Sequence, residues 1–191
     1  MLSRRALPFV FLFAAAAVVG CGGGEGVKSY HAPRVTEATV KENTGSYRLL
    51  GVMVPADDPM WFFTVSGGAD DLARFEAGFD ELARSVCFKG EKTVPEYAAP
   101  AGWKVGPGRG DIVRATINPP DSKLEVTVVW SAGGVDGNLN RWVEQLGNTY
   151  RPGDDAKYTK VVEAAGGPVR RTDIRGTKNP KAGGPMMGKM R

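Results

Sequence analysis

Three polar side chains in the second half of the chain have the spacing of a calcium-binding loop. Asp136, Asn138 and Asn140 would occupy its first, third and fifth positions. Such a loop also requires glycine at the sixth position and a carboxylate at the twelfth, and this sequence has Arg141 and Gly147 there. We therefore predict no metal site and interpret Asp136 as the N-cap of a helix.

Residues able to act as nucleophiles or bases are sparse. The only histidine, His31, lies in a segment that we predict to be a tether, so neither a Ser-His-Asp set nor a zinc cluster is indicated. Cys87 follows an apolar residue at a predicted helix end, and we interpret it as a small, half-buried apolar side chain. The sequence thus indicates no catalytic residue and no cofactor.

A glycine-rich segment superficially resembles a phosphate-binding loop. It reads Gly-Pro-Gly-Arg-Gly over residues 106–110. A P-loop continues with Lys-Ser/Thr and opens a helix, whereas here a strand is predicted from Asp111. We interpret the segment as an ordinary loop.

The chemistry that the sequence does support is at Cys21. Arg4 and Arg5 precede a short apolar run over residues 7–19, and residues 18–21 (VVGC) fit the lipobox of bacterial lipoprotein signals. In such signals the cysteine thiolate takes a diacylglycerol through a thioether, and the amine freed by cleavage can be acylated too. Each buried CH₂ contributes about 0.8 kcal/mol to membrane binding. The pattern predicts a lipid-anchored protein of the cell envelope, facing the periplasm or the exterior, with membrane lipid as a partner through Cys21.

Other interpretations of residues 1–20 fit less well. A plain secretory signal ends in an A-x-A-like site, which the residues before Cys21 do not offer cleanly. A retained membrane helix needs about 20 apolar residues. Ser3-Arg4-Arg5 partly matches a twin-arginine signal, which leaves the export route open.

The composition is that of an ordinary globular protein. Of 191 residues, 42% are hydrophobic and 24% are charged, which are typical values. The formal net charge is +4 at pH 7, and removal of Arg4 and Arg5 with the signal would leave about +2. This balance is not that of a nucleic-acid-binding protein.

Strand-like segments occur in pairs separated by turn residues, which predicts three hairpins. Their strands are expected at residues 47–54 and 61–66, 111–117 and 123–130, and 160–164 and 169–175. In the second hairpin apolar and polar residues alternate, which predicts a sheet with one buried face.

Two helices are predicted between the hairpins. Residues 70–86 carry apolar side chains at spacings of three and four, which is typical of a helix with one buried face. These side chains are Leu72, Phe75, Phe79, Leu82 and Val86. Asp80 and Arg84 are expected to form an i,i+4 ion pair on its outer side. A second helix is expected at about 137–146, with Gly147 placed to end it.

The alternation of hairpins and helices indicates an α+β fold, an antiparallel β-sheet with two main helices packed on it. We expect a lipoprotein signal peptide at 1–20, a flexible tether at 21–45, an α+β domain at 46–176, and a basic Gly/Pro/Met-rich tail at 177–191.

Three segments of this domain together resemble a group of uncharacterised bacterial envelope lipoproteins. Members tend to carry W-F-F-x-x-x-G, then P-x-G-W, then N-x-N-R-W-x-x-Q-L-G, which are residues 61–67, 100–103 and 138–147 here. The similarity covers about residues 46–176. It implies a PsbP-like α/β/α sandwich, an antiparallel sheet between helices, and members of that fold mostly act as non-catalytic binding or assembly factors.

The third of these segments holds candidate binding residues, Asn140, Arg141 and Gln145. Because Arg141 and Gln145 are four residues apart on a predicted helix, we expect them to share one side of it. They would grip a carboxylate or the backbone of a partner. Alternatively, Asn140 and Arg141 tie the helix to the sheet edge or to a loop.

The leading hypothesis is a lipid-anchored, non-enzymatic envelope protein that binds an unknown envelope protein or wall component, or supports an assembly. One alternative is an envelope hydrolase or carbohydrate-active module, acting through scattered carboxylates and exposed aromatics such as Trp103. It would require two carboxyl groups about 5–10 Å apart in a pocket. Another alternative is a binder of the cell wall or of an anionic membrane surface through the basic tail.

Overall fold

The computed structural model describes residues 45–178. In chain order its elements are β1 (Tyr47–Val54), β2 (Trp61–Gly68), α1 (Ala69–Ser85), β3 (Lys104–Arg109), β4 (Val113–Asn118), β5 (Val126–Trp130), α2 (Gly134–Gln145), α3 (Asp155–Tyr158), β6 (Thr159–Val162) and β7 (Val169–Gly176). Within this part of the chain the strands form a seven-stranded sheet in the order β3-β4-β5-β2-β1-β7-β6. Every neighbouring pair is antiparallel. The predicted α+β class and the three predicted hairpins are confirmed.

The two long helices lie on opposite faces of the sheet. On β1, Leu50 and Val52 belong to the apolar cluster that includes α1. Leu49 and Met53 point the other way, into the cluster that includes α2. The centre of the sheet is therefore buried on both faces. The predicted pattern of one buried and one more open face is found at β5, where fully buried residues alternate with less buried ones.

Helix α1 forms where its apolar periodicity predicts it. Leu72, Phe79 and Leu82 are fully buried against the sheet. The expected ion pair of Asp80 with Arg84 is wrong, because Asp80 Oδ1 instead accepts a hydrogen bond from Arg171 Nε of β7 at 2.9 Å. A buried guanidinium needs a carboxylate partner more than an exposed one does, and Arg171 is buried.

Helix α2 begins one turn earlier than predicted, and Asp136 is not its cap. Gly133, with φ 112°, holds the N-cap position. Asp136 lies in the first turn, where its carboxylate accepts a hydrogen bond from the hydroxyl of Tyr150. The end is as predicted: Gly147 has φ 72°, and the amides of Gly147 and Asn148 reach back to the carbonyls of Glu144 and Val143 at 3.0 and 3.1 Å, a Schellman motif.

The interpretation of residues 106–110 as a loop is wrong, because most of them belong to β3. Proline is tolerated there because β3 is an edge strand. A Cβ on Gly106 would lie 2.6 Å from Thr116 Oγ1 of β4, so glycine permits the close pairing. The glycine and proline content of this segment suggested a loop, but its backbone pairs with β4 and therefore forms a strand.

Two buried arginines join β1, β7 and α1. Arg48 is 2% exposed, and its guanidinium binds Glu76 of α1 through Nη1 and Nη2 at 2.7 and 2.8 Å. It also binds Asp173 of β7 through Nε at 2.8 Å and through Nη2. Arg171 binds Asp80, contacts Glu76 at 3.4 Å, and lies 5.4 Å from the ring centre of Phe79. We call these five charged residues the Arg48 network.

Two carboxylates of the network, Glu76 and Asp173, are favoured in their ionised form. Hydrogen bonding to Arg48 lowers the pKa of Glu76 below its usual value. Burial by itself would raise the pKa of Asp173, but the hydrogen bonds and charge of Arg48 outweigh it and the pKa is lowered. Groups whose folded-state pKa is depressed contribute stability above their unfolded pKa and lose it as pH falls through the folded value.

We expect the free energy of unfolding to fall as pH drops below about 4.5, near the unfolded pKa of Glu and Asp. Glu76→Gln should lower stability at pH 7 and make this acid-side fall shallower, because the substituted side chain no longer binds a proton on unfolding. Urea titrations from pH 7 to pH 3 measure both effects. Asp58→Asn is the matched control, since Asp58 is an exposed turn residue; an equally shallow acid-side fall in that variant would contradict the role of Glu76.

A glycine inside α1 should be intolerant of alanine. Alanine in place of glycine within a helix is normally stabilising by about 1 kcal/mol. At Gly78, however, the added Cβ would lie 2.8 Å from Cζ2 of Trp103. We expect Gly78→Ala to destabilise the domain by about 1–3 kcal/mol because the indole must move.

Gly137→Ala in α2 is the control, because a Cβ there meets nothing within 4 Å. That variant should be stabilised in the same urea titration. If both variants shift in the same direction, the packing of Trp103 on α1 does not limit position 78.

Candidate ligand-binding groove

A groove lies on the face of the sheet that carries α2. The helix packs over the β1 and β7 side, where Trp142, Val143 and Leu146 meet Leu49 and Ile174. The rest of that face, toward β4 and β5, is left uncovered beside the helix. The resulting groove has a volume of about 540 Å³. It is lined by Leu49, Phe62, Thr64, Val65, Ser66, Arg109, Ile112, Val113, Lys123, Leu124, Glu125, Thr127, Val129, Ser131, Arg141, Trp142 and Gln145.

The floor of the groove is apolar with a polar centre. Phe62 meets the indole of Trp142 edge to face, with ring centres 5.8 Å apart. The hydroxyls of Thr64 and Thr127 lie 3.1 Å from each other on adjacent strands, and the Thr127 hydroxyl also reaches the Thr64 carbonyl at 3.3 Å. The two hydroxyls therefore bond to each other, and the apolar contacts left for a ligand come from neighbours such as Phe62, Val129 and Trp142.

Arg141 brings a half-buried positive charge to the helix side of the groove. Its Nη2 donates to Asn138 Oδ1 at 2.7 Å. Asn138 is itself buried, and its amide donates to the Gly134 carbonyl at 2.7 Å, so the start of α2 positions the guanidinium. Burial lowers the pKa of Arg141, because a cation removed from water is less stable. A partly desolvated guanidinium of this kind favours an anionic ligand.

The opposite wall adds further charge. Arg109 Nη1 donates to Glu125 Oε2 at 3.1 Å, so these two charges compensate each other. Lys123 is exposed at the same wall. The described residues that line the groove include three cations, Arg109, Lys123 and Arg141, and one carboxylate, Glu125. The groove therefore has an excess of positive charge.

The structure separates the three predicted binding residues. Arg141 and Gln145 both line the groove, as their i,i+4 spacing predicts. Asn140 is exposed and is not among the lining residues. The residue that ties α2 to the preceding loop is Asn138, whose amide donates to the carbonyls of Ala132 and Gly134; the sequence suggested it as a calcium ligand and as part of the N-x-N-R-W segment, but not as this link. The groove floor was missed because nothing local marks Thr64 and Thr127 as neighbours.

A second, polar cleft of about 280 Å³ contains two carboxylates, Glu76 and Asp173. Both belong to the Arg48 network, which lowers the pKa of each. A general acid in glycoside hydrolysis needs the opposite shift, so this pair gives the hydrolase alternative no support. Trp103, offered for that alternative as an exposed aromatic, is half-buried and meets Phe75 of α1 edge to face at 6.2 Å.

The remaining predictions fall partly outside the described residues. Cys21, His31, the signal peptide and nearly all of the tether and tail are outside residues 45–178. Cys87 is half-buried, as predicted. Within residues 45–178, no group of three or more His, Cys, Asp and Glu side chains is placed to hold a metal ion. The helices between residues 45 and 178 are each too short or too polar to span a membrane.

Comparison with known proteins identifies no relative of the chain. No protein-family model, no curated protein and no solved structure matches the chain.

Proposed function

We propose that this chain is a lipid-anchored protein of the cell envelope whose α+β domain binds an anionic ligand in the α2 groove and carries out no reaction on it. The observation that carries the proposal is the half-buried Arg141 guanidinium beside an apolar floor. The lipobox at Cys21 supports the envelope location, and the resemblance to envelope lipoproteins supports a binding role.

The geometry favours a ligand with an acidic group and an apolar body. A volume of about 540 Å³ is in the usual range for small-molecule sites, which are mainly apolar with a few placed polar groups. Phe62, Val129 and Trp142 offer the apolar contacts, and Arg141 and Lys123 offer the counter-charge. A lipid, a wall component or an acidic segment of an envelope protein can each carry such a combination of acidic and apolar groups.

The lining chemistry suits binding better than catalysis. The described lining residues supply hydroxyls from Ser and Thr but no His to act as their general base. Their one carboxylate, Glu125, is already paired with Arg109. The placement of a helix on each face of an antiparallel sheet is consistent with the PsbP-like sandwich that the sequence motifs imply, and we include that fold family in the proposal.

The anchor is tested by Cys21→Ala in intact cells. The change should leave an unprocessed precursor and abolish partitioning into the detergent phase, because the thioether cannot form. Electrophoretic mobility and Triton X-114 partitioning measure the two effects, with Cys87→Ala as the control. Normal maturation and partitioning of the Cys21 variant would rule out lipidation at this residue.

The groove is tested with a dansyl-labelled undecanoic acid as a fluorescent probe. The full chain in neutral detergent should bind the acid more tightly than the same probe ending in a primary amide. Arg141→Gln should weaken binding of the acid about tenfold, the value of one hydrogen bond to a charged group. Lys123→Gln should weaken it less, because Lys123 is exposed.

Arg151→Gln is the matched control, since Arg151 is exposed and does not line the groove. Circular dichroism melting checks that the domain stays folded when the Arg141–Asn138 contact is lost. If Arg141→Gln unfolds the domain, the Lys123→Gln variant still tests the groove. Equal binding of acid and amide, or affinities unchanged in both groove variants, would overturn the proposal.

A further inference from the structure

A second concave surface lies on the opposite face of the sheet from the α2 groove. It is found where β2 begins and β5 ends, and its volume is about 370 Å³. It is lined by Trp61, Lys92, Val94, Arg114 and Trp130. We call it the tryptophan cleft, and none of its residues lines the α2 groove.

The floor of the tryptophan cleft is a cross-strand pair of indoles. Trp61 of β2 stands directly opposite Trp130 of β5 in the sheet register. Trp61 is 2% exposed, whereas Trp130 is 40% exposed. A tryptophan with this much exposed area on a strand within the sheet offers a flat apolar surface to a ligand.

One wall of the cleft, the segment with Lys92 and Val94, is positioned by a hydrogen bond from Trp61 in the floor. The indole Nε1 of Trp61 donates to the Glu91 carbonyl at 3.0 Å. This bond fixes the segment that carries Lys92 and Val94, and Val94 adds a further 38%-exposed apolar side chain. The indole N–H is therefore already used, and recognition of a ligand falls to the exposed face of Trp130 and to the cations.

Two exposed cations line the cleft, Lys92 and Arg114. The register of β4 on β5 shifts between Val113 and Ala115, and Arg114, at this irregularity, lines the cleft. Within residues 45–178, Arg114 and Lys92 take part in none of the ion pairs. A free guanidinium binds a carboxylate through two parallel hydrogen bonds.

We propose that the tryptophan cleft binds a carboxylate-bearing polysaccharide, with one sugar ring stacked on Trp130 and its carboxylate bound by Arg114 and Lys92. A pyranose ring has an apolar face and a hydrated rim, which fits an indole that is exposed on one side. An acyl chain would remain partly in water on so open a surface. Nucleic acid is disfavoured because two cations do not form the basic stripe that follows a phosphate backbone.

The proposal is tested by isothermal titration calorimetry of the full chain in neutral detergent with hexagalacturonic acid. The methyl-esterified hexamer is the matched ligand, because it keeps the rings and removes the charges. The acid should bind at least about tenfold more tightly than the ester. Arg114→Gln should remove most of this preference, and Trp130→Ala should weaken both ligands because the stacking surface is lost.

Trp130→Phe keeps an aromatic ring at this position and should retain part of the binding. This variant shows whether the weaker binding of Trp130→Ala comes from the lost stacking surface or from a folding defect. Arg151→Gln should bind like the unmodified chain. The proposal is overturned if the acid and ester bind equally, if Arg114→Gln and Trp130→Ala bind as the unmodified chain does, or if an oligothymidylate of equal charge binds as tightly as the hexamer. Loss of binding in Arg141→Gln with the Arg114 variant unaffected would also overturn it, since the site would then be the α2 groove.

Discussion

The buried guanidinium of Arg48 is the constraint on which the rest of the fold depends. A cation this deep requires carboxylates around it, and they come from α1 and from β7, 28 and 125 residues away along the chain. Satisfying Arg48 therefore requires the last strand to pair beside the first and α1 to lie across both. The cost of leaving this charge unpaired penalises other arrangements of the same strands.

With β1 bound between β2 and β7, the sheet grows outward on both sides and needs cover on both faces. α1 follows β2 directly and covers one face. α2 covers the other, but with only 12 residues, it protects mainly β1, β2 and β7. The β4–β5 side of that face remains open, and the α2 groove is the consequence of this incomplete cover.

Both candidate binding surfaces combine apolar floors with positive charge, although they lie on opposite faces. In the α2 groove the charge is held by the start of the helix, through Asn138 and Arg141. In the tryptophan cleft it is placed by a strand irregularity and by a segment bonded to Trp61. The groove combines its charge with several apolar side chains, including Phe62, Val129 and Trp142, whereas the cleft offers the exposed indole of Trp130. This difference is why we propose an amphipathic acid for the groove and an acidic sugar chain for the cleft.

Local patterns in the sequence determined the pieces of this fold. The spacing of Leu72, Phe79 and Leu82 sets α1, Gly147 ends α2, and alternating apolar residues set β5 in the second hairpin, because each signal acts over a few neighbouring residues. Only the tertiary structure decided the strand order, the inclusion of the Gly/Pro-rich β3 in the sheet and the pairing of Asp80 with Arg171. It also decided that Trp103 is half-buried whereas Trp130 is exposed. These features depend on which distant segment lies opposite, and the free energy of such contacts comes from burial and charge pairing between residues that no local periodicity relates.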